Sequence, residues 1–169
     1  RLTEGYGLSD GVCNRILAAP ERPTLVITAD NGSSDGDRIR RLQAEGIDVV
    51  VTDHHELPAE GPPPALACVN PTRPDSAYPD PLIAGVAVAW LVIAHTRQYL
   101  PPERVEGLRL SALLDLVALG TVADCVSLSR SRNNRILIEH GLRIANAADA
   151  RPCWGTLREP LRARERPLT

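Results

Sequence analysis

Asp30, Asp53, His54, His55 and Asp124 are the residues whose types and placing could do chemistry in this chain. Asp53, His54 and His55 are consecutive and close the stretch VVVTDHHELP. There, three valines and a threonine read as the tail of a buried strand, and Pro58 forbids its continuation. In open α/β sheets, ligands bind at that carboxyl end of the strands. Asp30 follows the apolar run LVITA in the same way, and Asp124 follows an apolar helix within GTVAD. Hard carboxylates with one or two imidazoles suit Mn2+ or Mg2+ better than a thiolate-loving ion. Such a set can hold a two-metal centre with a bridging carboxylate, the arrangement that serves in-line displacement at a phosphoryl group. Structural roles stand beside this reading. A histidine at a strand end is commonly a hydrogen-bonded loop residue, Asp30 sits in the turn sequence DNG, and Asp124 could cap a helix or pair with an arginine.

Other chemistries lack their residues. DNGSSDG has neither the G-x-G-x-x-G spacing nor the P-loop pattern, and GSS is not a G-x-S-x-G nucleophile elbow. Cys13, Cys68, Cys125 and Cys153 are far apart with no C-x-x-C, so reduced, partly buried thiols are expected rather than a zinc site or a disulfide framework. No apolar run is long enough to span a bilayer. A net charge of −2 argues against a strongly basic nucleic-acid clamp, and 3% aromatics argue against a base-stacking platform. All 19 basic residues are arginine; a biased gene composition explains this more simply than selection for phosphate contacts.

The elements that must position the candidates follow from periodicity. Leu25 to Ile27 read as a short buried strand. DGDRIRRLQAEG reads as an amphipathic helix with Ile39 and Leu42 on one face and Gly46 as C-cap, and IDVVVTD as a second strand. Strand, helix and strand in so short a stretch form a βαβ unit with parallel strands and a right-handed crossover. Asp30 and the Asp53-His54-His55 run should therefore emerge side by side. After the proline-rich EGPPP, a short strand is expected over Leu66 to Val69. A buried helix is expected over Leu82 to Ala94, then a second apolar helix ending near Gly120 with an extended piece carrying Asp124. A further amphipathic helix turns Ile136, Leu137, Leu142 and Ile144 inward. The fold class is α/β, a Rossmann-like parallel sheet flanked by helices.

The chain opens on Arg1 and stops in REPLRARERPLT without a closing helix, so both ends read as cut. Beyond Ala150, five arginines and three prolines break the pattern, and residues 151–169 are expected to be a connector.

The order of these motifs resembles the DHH phosphoesterase superfamily, and within it the RecJ group of single-stranded-DNA-specific exonucleases. RLTEGYGLS looks like the segment after that family's first motif, ITADNGSSD its second, VVVTDHHELP its third and LDLVALGTVADCVSL its fourth. VNP, YPDPLIAGVAVAWL and NRILIEHGL resemble its connecting stretches, and the likeness covers roughly residues 1–150. It implies a DHH catalytic domain incomplete at both ends. The first motif, an Asp-x-Asp, lies upstream, and the DHH-associated and oligonucleotide-binding domains lie outside. Without the first motif the piece alone is expected to be feeble or inactive and to expose apolar surface.

The resemblance implies a Mn2+- or Mg2+-dependent two-metal enzyme that digests single-stranded DNA 5′ to 3′ in repair and recombination. It would work in the cytoplasm, off the membrane, with a helicase and a single-strand-binding protein as partners. Asp30 would bridge the ions, His54 and Asp124 would ligate the second ion, His55 would face the scissile phosphate, and Asp53 would orient a histidine. Asn31, Asn134 and Arg135 are expected near the substrate. Asn133 stands where the family usually has glutamate, and Cys125, where a small aliphatic residue is usual, is expected to pack. The same superfamily contains nano-RNases that are also phosphoadenosine phosphatases, inorganic pyrophosphatases, and silent scaffolds that bind replication proteins. EGYGL and GTVADCVSL favour the exonuclease over the small phosphatases. Retention of Asp30, His54, His55 and Asp124 counts against the scaffold.

Overall fold

The computed structural model describes residues 3–158 and 167–168. Helix α1 (Asp10–Leu17) leads into β1 (Leu25–Ala29), α2 (Gly36–Ala44), β2 (Asp48–Thr52) and β3 (Ala67–Val69). Then come α3 (Gly85–Thr96), the short α4 (Pro102–Val105), α5 (Leu114–Ala123), α6 (Arg132–Ala145) and α7 (Pro152–Arg158). The strands form one parallel sheet in the order β1-β2-β3, with Val26 opposite Val49 and Val51 opposite Cys68. None of the described helices is long and apolar enough to cross a membrane.

The βαβ unit forms for the reasons its sequence contains. Ile39 and Leu42 of α2 are fully buried against Val49, Val51, Leu8 and Cys13, which is the core on one face of the sheet. Gly46, at φ 77°, ends α2, with its N–H donating to Gln43 O and the Ile47 N–H to Leu42 O. This Schellman arrangement needs a left-handed residue, which glycine supplies without Cβ strain. On the other face, Ile83, just before α3, and Ala87 and Val88 of α3 pack against Val117 of α5. Gly141 brings α6 onto α5, since a Cβ there would lie 2.3 Å from Ala118 Cβ.

Several expectations differ from the structure. Strand β1 is not buried: Leu25 and Ile27 are 44% and 64% exposed, because β1 ends the sheet and no described element covers that part of its face. α3 starts at Gly85, three residues after Leu82, and only its first half is buried. Gly120 does not stop α5. The helix continues to Ala123 with Asp124 as its C-cap, and Gly120 instead admits Val86, whose Cγ1 would lie 2.8 Å from a Cβ. Ile136 of α6 points outward at 40% exposure, while Asn134, Gly141 and Ala145 are buried. Cys125 does not pack. It is exposed and takes φ 57° as the left-handed residue after α5. Of the expected connector, residues 159–166 and 169 lie outside the described residues. Residues 151–158 dock on α5, where the buried Asp115 carboxylate accepts from Arg151 Nε at 2.9 Å and Trp154 Nε1 at 2.8 Å.

Candidate metal centre

The parallel register sets the ends of β1 and β2 side by side. Asp30 N donates to Thr52 O at 2.9 Å and Asp53 N to Val69 O at 3.1 Å, each carrying the ladder one residue beyond its strand. Asp30 then takes φ 65°, a left-handed conformation that aspartate tolerates better than most non-glycine residues. Its carbonyl accepts from the Tyr6 hydroxyl at 3.1 Å. Thr28 Oγ1 closes the turn onto Asn31 O at 2.7 Å, and the Asn31 amide donates to Ala29 O at 2.8 Å. DNG is therefore a turn, as its composition suggests, but the turn leaves the Asp30 carboxylate free.

That carboxylate meets His54. Asp30 Oδ1 lies 3.1 Å from His54 Nε2, and Asp124 Oδ2 lies 3.2 Å from the same nitrogen. These are ion-pair distances without hydrogen-bond alignment: Asp30 Oδ1 and His54 Nε2 are both buried and have no hydrogen-bond partner. One ring nitrogen carries at most one proton and cannot serve two carboxylates. Buried polar atoms are almost always paired, so two orphaned atoms converging beside a second carboxylate fit a cation. Asp30, His54 and His55 offer ligand atoms within 4.8 Å of one another; Asp124 lies outside that trio and joins it through His54. Burial pushes the Asp30 carboxyl above its ordinary value, the negative Asp124 adds to this, and His54 and His55 only partly offset it.

Two supports hold it. The first residue of α3 presses against Asp30, where a Cβ on Gly85 would fall 2.2 Å from Oδ1. Asp53 lies almost wholly buried beneath the loop. It accepts from His54 N at 2.8 Å, His55 N at 3.3 Å and Ser33 N at 3.0 Å, and pairs with His55 Nδ1 at 2.7 Å. Burial alone would raise the Asp53 carboxyl, but the hydrogen bonds from Ser33, His55 and His54 outweigh it and hold the group below its ordinary value. The bond to Asp53 correspondingly lifts His55, against a smaller effect of burial.

The fold thus brings Asp30, Asp53, His54, His55 and Asp124 together, with Asn31 in the adjoining turn. The contacts of Asn134 and Arg135 lead elsewhere. Asn134 is buried and donates to Leu82 O at 2.8 Å, and Arg135 reaches Leu128 O at 2.6 Å and Ser129 O at 3.1 Å. Asn133 ties to Asp80 and Tyr78. Sequence reasoning assigned no part to Ser33, Asn70 or Gly85. A polar residue directly after each strand was the available signal for Asn70, and a glycine opening an otherwise apolar helix was the signal for Gly85.

A family model described as the DHH family, N-terminal domain, matches residues 6–121. The single-stranded-DNA-specific exonuclease RecJ of Dickeya dadantii is 45% identical over 160 residues, covering 90% of this chain and 27% of its own. That of Escherichia coli is 39% identical over 158 residues, covering 90% and 26%. The chain spans about a quarter of the length of these curated relatives. The crystal structure of exonuclease RecJ bound to manganese superposes with a TM-score of 0.66 at 33% identity, over 88% of this chain and 35% of that one. RecJ of Thermus thermophilus in complex with Mn2+ gives a TM-score of 0.57 at 31% identity, over 81% and 19%.

Proposed function

The chain belongs to the DHH family, and on that premise we propose that residues 1–150 are the central and C-terminal part of the catalytic domain of a metal-dependent single-stranded-DNA exonuclease. The observation that carries this is the orphaned pair, Asp30 Oδ1 and His54 Nε2, facing each other beside Asp124. The names of the relatives supply the substrate, and the manganese in the solved relatives supports the ion.

In this reading Asp30, His54 and Asp124 hold Mn2+ or Mg2+, with Asp30 bridging two ions. Carboxylate oxygens with one imidazole suit such hard cations. Bound there, the cations would polarise the phosphoryl group and lower the pKa of a coordinated water. Asp53 fixes the His55 ring through Nδ1, so the other nitrogen faces the scissile phosphate to accept or return a proton. Asn31 borders the path of the strand. The remaining ligands come from an Asp-x-Asp upstream, and residues 151–169 lead towards a further domain. Digestion runs 5′ to 3′ in repair and recombination, with a helicase and a single-strand-binding protein as partners. The free cysteines among the described residues suit the reducing cytoplasm.

The test is hydrolysis of 5′-labelled single-stranded DNA with Mn2+ by the chain and by the full-length protein containing it. Duplex DNA, pyrophosphate and phosphoadenosine phosphate serve as competitors. Digestion of single strands by the full-length protein alone supports both the activity and the division of the domain. Preference for the small phosphates, or no hydrolysis, overturns the exonuclease reading in favour of the phosphatase or the scaffold.

A further inference from the structure

Behind the DHH loop lies a hydrogen-bond chain that starts at the far strand. Asn70, immediately after β3, is 3% exposed, and Ser33, in the loop after β1, is 2% exposed. Asn70 Nδ2 donates to His55 O at 2.9 Å and to Ser33 Oγ at 3.0 Å. Its Oδ1 accepts from Thr72 N at 2.8 Å and lies 2.8 Å from Thr72 Oγ1. The amide cannot be turned over. A flip would set Oδ1 against the His55 carbonyl, which only accepts, and Nδ2 against the Thr72 N–H, which only donates. Backbone groups with no choice of role therefore decide that Asn70 donates to the Ser33 hydroxyl.

Ser33 in turn holds the buried carboxylate through its backbone, its N–H donating to Asp53 Oδ2 at 3.0 Å. Asp53, surrounded by donors, can only accept from His55 Nδ1. We infer that Asn70 and Ser33 are positioning residues of a relay of contacts: Asn70 fixes the His55 carbonyl and the Ser33 side chain, Ser33 N–H fixes Asp53, and Asp53 fixes His55 Nδ1, which turns His55 Nε2 towards the substrate. The relay joins the loops after all three strands, so it depends on the sheet register rather than on any local motif. It rests on the reading of His55 as the residue facing phosphate.

The experiment uses the full-length protein with Ser33→Ala, Asn70→Asp and His54→Ala in parallel. Ser33→Ala removes only the hydroxyl. Asn70→Asp keeps the shape but replaces two donor hydrogens with an acceptor. For each variant, kcat and KM on single-stranded DNA, Mn2+ binding by electron paramagnetic resonance and the 15N resonances of His55 are measured. Partners of this kind are worth roughly 10–100-fold when removed. The expected result is a loss of that size in kcat for Ser33→Ala and Asn70→Asp, with Mn2+ binding retained and the His55 ring signals shifted. Unchanged kcat and ring signals in Ser33→Ala overturn the relay, even where Asn70→Asp fails to fold. If His54→Ala also leaves activity and Mn2+ binding unchanged, the metal-site reading fails instead.

Discussion

Asp30 Oδ1 and His54 Nε2 stand 3.1 Å apart at the ends of two adjacent parallel strands, and neither has a hydrogen-bond partner. Two buried polar atoms held this way are disfavoured unless something between them supplies the missing partner, as a cation would, because each group forgoes its water without replacement. The ladder bonds from Asp30 N and Asp53 N enforce the approach, so it belongs to the sheet and not to chance side-chain placement.

A cation that fits there binds the folded chain and not the unfolded one. Mn2+ at about 100 times its Kd should therefore add about 2.7 kcal/mol of stability, or roughly 5–10 °C in Tm for a domain of this size. Chelation should reverse it. Asp30→Ala and His54→Ala should abolish the response in a thermal melt. A rise of the same size in either variant would mean that the ion binds elsewhere.

The cysteines should divide into two classes. Cys13 is buried and Cys68 half-buried, and burial pushes both thiols above the ordinary value, whereas Cys125 and Cys153 are exposed. The thiolate is the reactive form, so at about pH 8 iodoacetamide should modify Cys125 and Cys153 in the folded chain and spare the other two. Mass spectrometry of peptides from a timed reaction decides it. Early modification of Cys13 would show that the core between α1 and the sheet opens.

Much of this was legible in the sequence where the signal is local. The β1-α2-β2 unit shows in two apolar runs, the Ile39–Leu42 face and Gly46, all within a short span. Asp30, His54, His55 and Asp124 each follow an apolar element at its end, which is why their meeting at one edge of the sheet could be expected. What failed depends on distant neighbours. Ile27 has the pattern of a buried residue but nothing described lies over it, and Gly120 reads as a stop although its purpose is the close approach of Val86. Asn70 and Ser33 are 37 residues apart and meet only through the sheet register.

Residues 151–158 should depend on a single carboxylate. Asp115 is fully buried and accepts from Arg151, Trp154 and the Leu116 backbone N–H. Asp115→Ala leaves the Trp154 indole N–H without its acceptor in a buried place, which costs about 2–3 kcal/mol including the half-exposed arginine. Urea unfolding should show that loss, and the fluorescence of Trp154 should shift to the red as α7 leaves α5. A loss of stability with the emission unchanged would mean that Asp115 acts within α5 and not on α7.

Gly85→Ala opposes two effects of known size. Inside a helix, alanine is favoured over glycine by about 1 kcal/mol, and Gly85, as the first residue of α3, gains less than that. Against it, the new Cβ would lie 2.2 Å from Asp30 Oδ1 and 2.8 Å from Cγ, with the Asp30 backbone already committed to its turn. Overpacking of this kind costs about 1–3 kcal/mol, so the variant should be destabilised, and the displaced carboxylate should lose Mn2+-dependent stabilisation. Gly155→Ala in α7, where a Cβ meets nothing within 4 Å, is the control and should stabilise the chain by about 0.5–1 kcal/mol. A second variant separates clash from chemistry. Asp30→Gly with Gly85→Ala removes the obstructing side chain and suits the positive φ at residue 30, so it should regain stability but not the response to Mn2+. If Gly85→Ala alone keeps both its Tm and its Mn2+ response, the helix start does not position Asp30.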